Sequence, residues 1–340
     1  MKLPIMFTVF IILSCILAKP ASGQQQFYET VNVNGVNRQY LVYLPTDFDP
    51  AENLPVMFHF HGGDESPEVA IQSEVDYRSL ANVHRFIAVY PAALLDGKGC
   101  TCWNNEGKYS NGIDELGFAE AMIDSMVAGY NADPSRMYAS GFSLGGSLTW
   151  DLACFLGDRF AAVGVVAANM WEWTYNDCTS ALPIGICHIL GTNDFYAPYN
   201  GNQYSISTAQ QNAFWVSVNG ASNTPIEDNL GGGVTRFLWP AKEDCHSVVH
   251  YRRQGGEHDW PTFARDAIWE FVSQYSLDGL IECLEDCPAD LNGDGVVDGV
   301  DLGILLAGWK RAGGDIDGDG TTNGVDIGLM LAAWGACNSG

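Results

Sequence analysis

Ser143 sits in the run Gly141-Phe142-Ser143-Leu144-Gly145. A serine hydroxyl is a weak nucleophile at its ordinary pKa, so it needs a base in contact and an acid to orient that base. It must also project from a tight strand-to-helix turn, where flanking residues have to be small. Gly141 and Gly145 meet that demand, and Gly146 adds room for close helix packing. The competing reading is a glycine-rich turn around a buried serine. The chemistry open to an activated serine is acyl transfer, whose oxyanion must be met by backbone N–H groups. One donor would be Leu144, the residue after the serine. The other would be Gly62 or Gly63, which end the run Phe58-His59-Phe60-His61-Gly62-Gly63. His61 is read as a brace for that loop rather than a proton carrier.

An orienting acid should follow the next long strand. Asp194 does so, directly after the apolar run 184–190 and before a turn at 197–201; the competing reading is a solvated loop aspartate. A base should stand near the end of the same domain. His258 lies in Gly255-Gly256-Glu257-His258-Asp259-Trp260-Pro261, just ahead of a helical stretch. His246 and His250 are rivals, although His250 falls in a strand-like segment where packing is the simpler role. Serine, aspartate, histidine is the chain order of one large hydrolase architecture. Trp103, Trp171, Trp173, Tyr196, Tyr199 and Trp260 lie in loops that could flank the site, where aromatic faces could stack on a phenolic acid or a sugar ring. Each could equally be a core or loop anchor.

The elements that must position these groups alternate. Residues 27–44 show apolar alternation about Asn34-Gly35, a hairpin signal. Buried strand-like runs occupy 54–60, 86–90, 137–140, 161–168 and 184–190, with weaker strand signals around Phe237 and Tyr251. Helical periodicity covers 117–130, 144–155 and 261–275. Repeated strand–helix–strand order predicts an α/β fold with a mostly parallel sheet covered on both faces.

The chain has 340 residues and 47% hydrophobic residues, enough for one large domain and something small beside it. A net charge of −25 excludes a phosphate-neutralising nucleic-acid surface. That acid is a solubilising surface, a store of metal ligands, or both. Lys2, the apolar run 5–18 and the small residues Ala21 and Gly23 predict a signal peptide over residues 1–23. Lipidation at Cys15 is the alternative there. No segment predicts a membrane span. Export predicts disulfides among the cysteines that remain after Cys15 leaves, namely Cys100, Cys102, Cys154, Cys178, Cys187, Cys245, Cys283, Cys287 and Cys337. Nine is odd, so at least one thiol stays free or pairs outside the chain.

Beyond a boundary at 277–290 the chain repeats itself. The run from Asp290 to Asp301 recurs 25 residues later from Asp315 to Asp326, and each leads into a similar apolar stretch. Both place oxygen ligands at positions 1, 3, 5, 9 and 12 of a calcium loop: Asp290, Asn292, Asp294, Asp298 and Asp301, then Asp315, Asp317, Asp319, Asn323 and Asp326. Gly295 and Gly320 take the sharp turn at position 6. The backbone carbonyls of Val296 and Thr321 would supply the ligand at position 7. Two structural calcium ions are therefore expected, and none for the serine chemistry.

Taken together, these stretches resemble a secreted esterase family of the carbohydrate esterase family 1 type, which holds feruloyl esterases, acetylxylan esterases and polyhydroxybutyrate-depolymerase-like proteins. The likeness spans roughly residues 40–271. It is carried by His61-Gly62, 114–118, Asp133-Pro134-Ser135-Arg136-Met137-Tyr138, 141–146, Gly191-Thr192 with Asp194, Pro198-Tyr199, and Gly255-Gly256 with His258, Trp260 and Pro261. It implies an α/β-hydrolase fold with Ser143 as nucleophile, Asp194 as acid and His258 as base, and a substrate among feruloyl, acetyl or hydroxybutyrate esters. Glu257 departs from the glycine usual there, and Cys100-Thr101-Cys102-Trp103 is richer in cysteine than the family pattern. The C-terminal repeat resembles a type I dockerin, a small all-α calcium-binding module, which implies a cohesin-type protein partner. Its Gly299-Val300 and Gly324-Val325 stand where known dockerins carry Ser/Thr pairs. The expected organisation is thus a signal peptide at 1–23, an esterase domain at 24–279, a linker at 280–289 and a dockerin-like domain at 290–337, which Cys287 and Cys337 would clasp. A displayed hydrolase-like binding module without catalysis is the non-enzymatic alternative.

Overall fold

The computed structural model describes residues 25–336 apart from 97–98, 105–112, 243–244, 282–287, 293–295 and 312. The expected signal peptide, Cys283, Cys287, Cys337, Asp294 and most of the expected linker lie outside the described residues.

The expected hairpin is β1 (Gln26–Val33) and β2 (Val36–Tyr43). Asn34 and Gly35 both take positive φ, 51° and 87°, the turn that matches strand twist. Then follow β3 (Val56–Phe60), β4 (Ile87–Pro91), β5 (Met137–Phe142), β6 (Ala162–Val166), β7 (Gly185–Gly191), β8 (Ile226–Gly231), β9 (Val234–Trp239) and β10 (Val248–Arg253). They form one ten-stranded sheet in the order β1-β2-β4-β3-β5-β6-β7-β10-β9-β8. The six central strands, β4 to β10 in that order, are parallel, and antiparallel pairs extend the sheet at both edges. β3, β4, β6 and β7 are buried at every position. β4 and β6 read as unbroken apolar runs, and β3 and β7 each carry one buried histidine, His59 and His188, because helices cover both faces, and one cluster of buried side chains fills each side.

The helices are α1 (Pro67–Ser73), α2 (Arg78–His84), α3 (Glu115–Tyr130), α4 (Ser143–Phe155), α5 (Glu172–Asp177), α6 (Thr208–Val218) and α7 (Ala264–Val272). The sequence reading anticipates α3, α4 and α7 and omits the other four. α6 buries the polar residues Thr208, Gln211 and Asn212, so its apolar period is weak. Its start does carry a signal: Ser207 and Gln210 form a capping box.

Two ribbons and two helices complete the described chain. β11 (Tyr275–Ser276) pairs with β12 (Gly279–Leu280). In the repeat, α8 (Gly299–Ala307) and α9 (Gly324–Ala332) pack around Leu305 and Met330, with Val297 and Ala289. The expectation of an all-α unit needs correction. β13 (Val296–Val297) pairs with β14 (Gly335–Ala336), a two-residue ladder that joins the first loop to the end of the second helix. Cys100 bonds Cys102 and Cys154 bonds Cys178. Cys245 is also in a disulfide, while Cys187 is free and buried. Among the described residues, no helix is long and apolar enough to cross a membrane.

One buried ion pair ties the sheet edge to the helix layer. Arg38 on β2 donates to Glu115 at the start of α3 over 2.7 Å, with both side chains 1% exposed. Glu115 also accepts the Asn104 N–H, and the Arg38 guanidinium lies over the Phe118 ring. Removing one partner of such a pair strands a buried charge. Glu115→Ala is expected to lower unfolding free energy by about 3–5 kcal/mol in urea denaturation.

Candidate active site

Strand β5 ends and helix α4 begins at Ser143, which holds φ at 51°. A non-glycine residue in this region stores strain of about 1–3 kcal/mol. The surroundings tolerate it only because both neighbouring glycines lack a Cβ. A Cβ on Gly145 would stand 2.0 Å from the Phe60 carbonyl oxygen, and one on Gly141 would stand 2.3 Å from the Gly145 carbonyl oxygen. The helix start is therefore pressed against the end of β3, and the serine side chain is pushed out of the turn.

The structure brings Ser143, His258 and Asp194 together. Ser143 Oγ lies 2.9 Å from His258 Nε2. His258 Nδ1 lies 2.8 Å from Asp194 Oδ2 and 2.9 Å from Oδ1. Asp194 is buried, and its Oδ1 also accepts the Tyr196 and Ala197 N–H groups at 2.9 and 2.8 Å. Those bonds hold the carboxylate toward the imidazole. Rings of Phe142 and Tyr196 stand 5.1 and 5.0 Å from the imidazole. The rival histidines lie elsewhere: His246 is buried beside Tyr275, and His250 is buried against Tyr199.

A cavity of about 520 Å³ opens over Ser143, with Gly63, Leu144, Asn169, Trp171, Tyr196 and His258 among its walls. The two glycines proposed for the oxyanion differ. Gly62 is buried and donates its N–H to Glu74 Oε1 at 2.9 Å, which commits that donor. Gly63 lines the cavity beside Leu144, and a Cβ there would meet the Leu144 side chain at 2.8 Å. Leu144 stands in the first turn of α4, where backbone N–H groups have no intrahelical acceptor. Gly63 and Leu144 are thus the pair able to face an oxyanion.

Of the expected aromatic flank, Tyr196 lines the cavity and is 75% exposed, and Trp171 lines it while stacked on Trp173. Three expectations are corrected. Trp103 is buried and donates Nε1–H to the His61 carbonyl at 2.7 Å, so it braces the loop from behind. Trp260 packs against His59 and Phe142 rather than into the cavity. Tyr199 lines a different cavity, with its hydroxyl 2.9 Å from His250 Nε2. His61 is placed as a brace: Nδ1–H reaches the Gly62 carbonyl and Nε2 accepts from Ala93 N–H. Burial pushes its pKa down to about 4, which keeps it neutral.

The sequence reading misses the network behind this loop. Glu74, at the end of α1, accepts from Gly62 and lies 2.6 Å from His59 Nε2. His59 Nδ1 lies 3.0 Å from Ser140 Oγ, which also accepts from the Tyr77 hydroxyl. No local pattern marks these residues, because three separate segments supply them. Glu65 joins through its carboxyl. Burial, then the contact with Glu74, pushes its pKa up to about 8, so it carries a proton toward Glu74.

In the C-terminal repeat, the two loops reproduce each other's bonds. Asp301 accepts the N–H groups of Leu291, Asn292 and Asp298, and Asp326 accepts those of Ile316, Asp317 and Asn323. Asp298 and Asn323 cap α8 and α9. Carboxylate oxygens of Asp315, Asp317 and Asp326 converge within 4.8 Å of one another. That donor set, all hard oxygen, fits calcium.

Residues 38–183 match the family described as Esterase PHB depolymerase. The chain is 27% identical over 245 residues to a bifunctional acetylxylan esterase/xylanase from Neocallimastix patriciarum, covering 72% of this chain but 34% of that protein. It is 27% identical over 261 residues to feruloyl esterase C from Emericella nidulans, covering 74% of this chain and 90% of that protein. The acetyl xylan esterase structure from Aspergillus awamori superposes with a TM-score of 0.54 at 17% identity, over 73% of this chain and 99% of that one. These relatives are carboxylic ester hydrolases. The fold is that of the α/β-hydrolases, with a mostly parallel central sheet.

The Glu65–Glu74 contact has a consequence for stability. A carboxyl whose folded pKa is raised to about 8 keeps its proton while the unfolded chain has already released it, so the folded state loses ground as pH rises from about 4.5 to 8. Glu65→Gln removes that dependence. The Tm advantage of the variant over the native protein should grow steadily between pH 5 and pH 8 in thermal melts.

Proposed function

We propose that the protein is a secreted serine ester hydrolase acting on feruloyl or acetyl esters of plant cell-wall polysaccharide. The observation that carries this reading is the hydrogen-bonded chain from Ser143 through His258 to Asp194, at 2.9 and 2.8 Å. His258 takes the Ser143 proton as the hydroxyl attacks the ester carbonyl. Asp194 holds the imidazole in place and supports the imidazolium. The oxyanion rests on the N–H groups of Leu144 and Gly63. His258 then gives its proton to the departing alcohol, and an acyl-enzyme remains. Water, deprotonated by His258, releases the acid. Tyr196 and Trp171 give the acyl group an aromatic wall.

The preference for cell-wall esters rests on the acetylxylan and feruloyl esterase relatives. The match to the Esterase PHB depolymerase family favours a second reading, hydrolysis of a hydroxybutyrate polyester by the same machinery. Secretion is supported by the apolar N-terminal run and by the disulfides. A fluorophosphonate probe should label the native protein and fail to label Ser143→Ala; failure to label the native protein would overturn the enzymatic reading. Ferulate or acetate release from xylan, set against hydroxybutyrate release from polymer granules, separates the two substrates.

We further propose that residues 290–337 form a calcium-dependent dockerin-like tether for a cohesin-type partner. Asp290, Asn292, Asp294, Asp298 and Asp301 would hold one ion, with the Val296 carbonyl. Asp315, Asp317, Asp319, Asn323 and Asp326 would hold the other, with the Thr321 carbonyl. A doubled set of exposed apolar side chains supports the docking role: Val300 with Val325, Leu306 with Leu331, and Trp309 with Trp334. EGTA should reduce helix content by an amount assignable to this unit and leave turnover of a soluble ester unchanged. Loss of that turnover on chelation would contradict a purely structural calcium.

A further inference from the structure

A second cavity, of about 430 Å³, lies between α6 and the sheet strands β9 and β10. On one wall, Thr208, Asn212 and Val216 share a face of α6, with the small Ala209 and Ala213 leaving the mouth open. On the other, Phe237 and Trp239 alternate along β9 and so project from the same side. Their rings are 6.2 Å apart and 29° from parallel.

The lining excludes most ligand classes. It contains no aspartate, glutamate, lysine or arginine, in a chain of net charge −25. Its histidine, His250, is fully buried, and burial pushes its pKa down to about 3, so it is neutral in working conditions. No side chain of the lining carries a charge to balance an ion, although the Arg252 guanidinium lies over the Phe237 ring at 5.0 Å, outside that lining. A purely hydrocarbon ligand fits badly as well, because Thr208, Asn212, Asn223 and Tyr199 interrupt the apolar lining. Asn212 is 7% exposed, and its Oδ1 is buried with no hydrogen-bond partner. Such an orphan costs about 1–3 kcal/mol while it stays unpaired, and the residue that carries it lines this cavity. A neutral sugar ring meets both demands, with one face of C–H groups for an aromatic ring and hydroxyls for amides.

The cavity also has a meaningful address. The segment 196–208 separates it from the cavity over Ser143, with Tyr196, Ala197 and Ser205 on one side and Tyr199 and Thr208 on the other. Thr208 Oγ1 donates to Asn169 Oδ1, and Asn169 lines the first cavity.

We propose that this second cavity is a subsite for a neutral sugar unit of the polysaccharide whose ester is held over Ser143. The inference rests on the polysaccharide reading and extends it, because it assigns recognition of the unesterified backbone to α6 and β9.

The test uses unesterified xylohexaose and cellohexaose, which offer no bond for the serine to cut. Binding to the full chain is read by calorimetry or tryptophan fluorescence. At least one hexaose should saturate the native protein. Trp239→Ala, and Ala213→Phe, which fills the mouth from an exposed helix position, should each weaken it tenfold or more. A native protein that binds neither sugar, or two folded variants that bind like the native, would overturn the subsite. Ester release from feruloylated or acetylated xylan is measured in parallel. If the native protein releases ester while the hexaose results fail, the subsite falls and the polysaccharide reading stands. If no ester is released from xylan although a soluble aryl ester is cleaved, the polysaccharide reading itself falls.

Discussion

The site depends on one contact, the approach of helix α4 to the end of strand β3. With a Cβ on Gly145 standing 2.0 Å from the Phe60 carbonyl, no side chain fits between helix and strand. That closeness forces Ser143 into a left-handed conformation and sets Leu144 beside Gly63. It also fixes where an imidazole must stand to reach the hydroxyl. His258 reaches that place from beyond β10, and Asp194 from beyond β7, because those neighbouring parallel strands end at the same edge of the sheet. Parallel strands deliver their C-terminal loops to one side, so residues far apart in the chain meet there.

A second set of buried polar contacts keeps the loop facing that helix in place. Glu74 holds the Gly62 N–H, His59 joins Glu74 to Ser140 on β5, and Trp103 holds the His61 carbonyl. Each group is desolvated, so each bond is expensive to break. A loop that presents a backbone donor must keep it aimed without help from water. Committing Gly62 to Glu74 leaves Gly63 as the residue that turns toward the cavity. The protonated Glu65 is part of the same arrangement, since two adjacent carboxylates could not both stay charged there.

The C-terminal repeat follows a different economy. Its core is small, with Leu305 and Met330 at equivalent positions, and much of its apolar surface stays exposed. Stability must then come from the loops. Asp301 and Asp326 each gather three backbone N–H groups, which folds each loop back on the helix it precedes. Duplication places the exposed Val300 and Val325, and Trp309 and Trp334, in matched positions.

Much of this protein was legible without coordinates, wherever the controlling forces are local. Hairpin turn chemistry at Asn34-Gly35, the apolar runs of the buried strands, the glycines around Ser143 and the spacing of oxygen ligands in the repeat all act over a few residues, so they leave a pattern in order and spacing. The chain order of Ser143, Asp194 and His258 could nominate partners but not bring them within 3 Å. What only the tertiary structure decided depends on distant segments competing for the same space. It assigned Gly62 to Glu74 and left Gly63 for the cavity. It buried Trp103 behind the loop, turned Tyr199 toward His250, and covered the sheet with α6 despite that helix's polar buried face. Such choices follow from packing and desolvation across the whole domain, which no local spacing records.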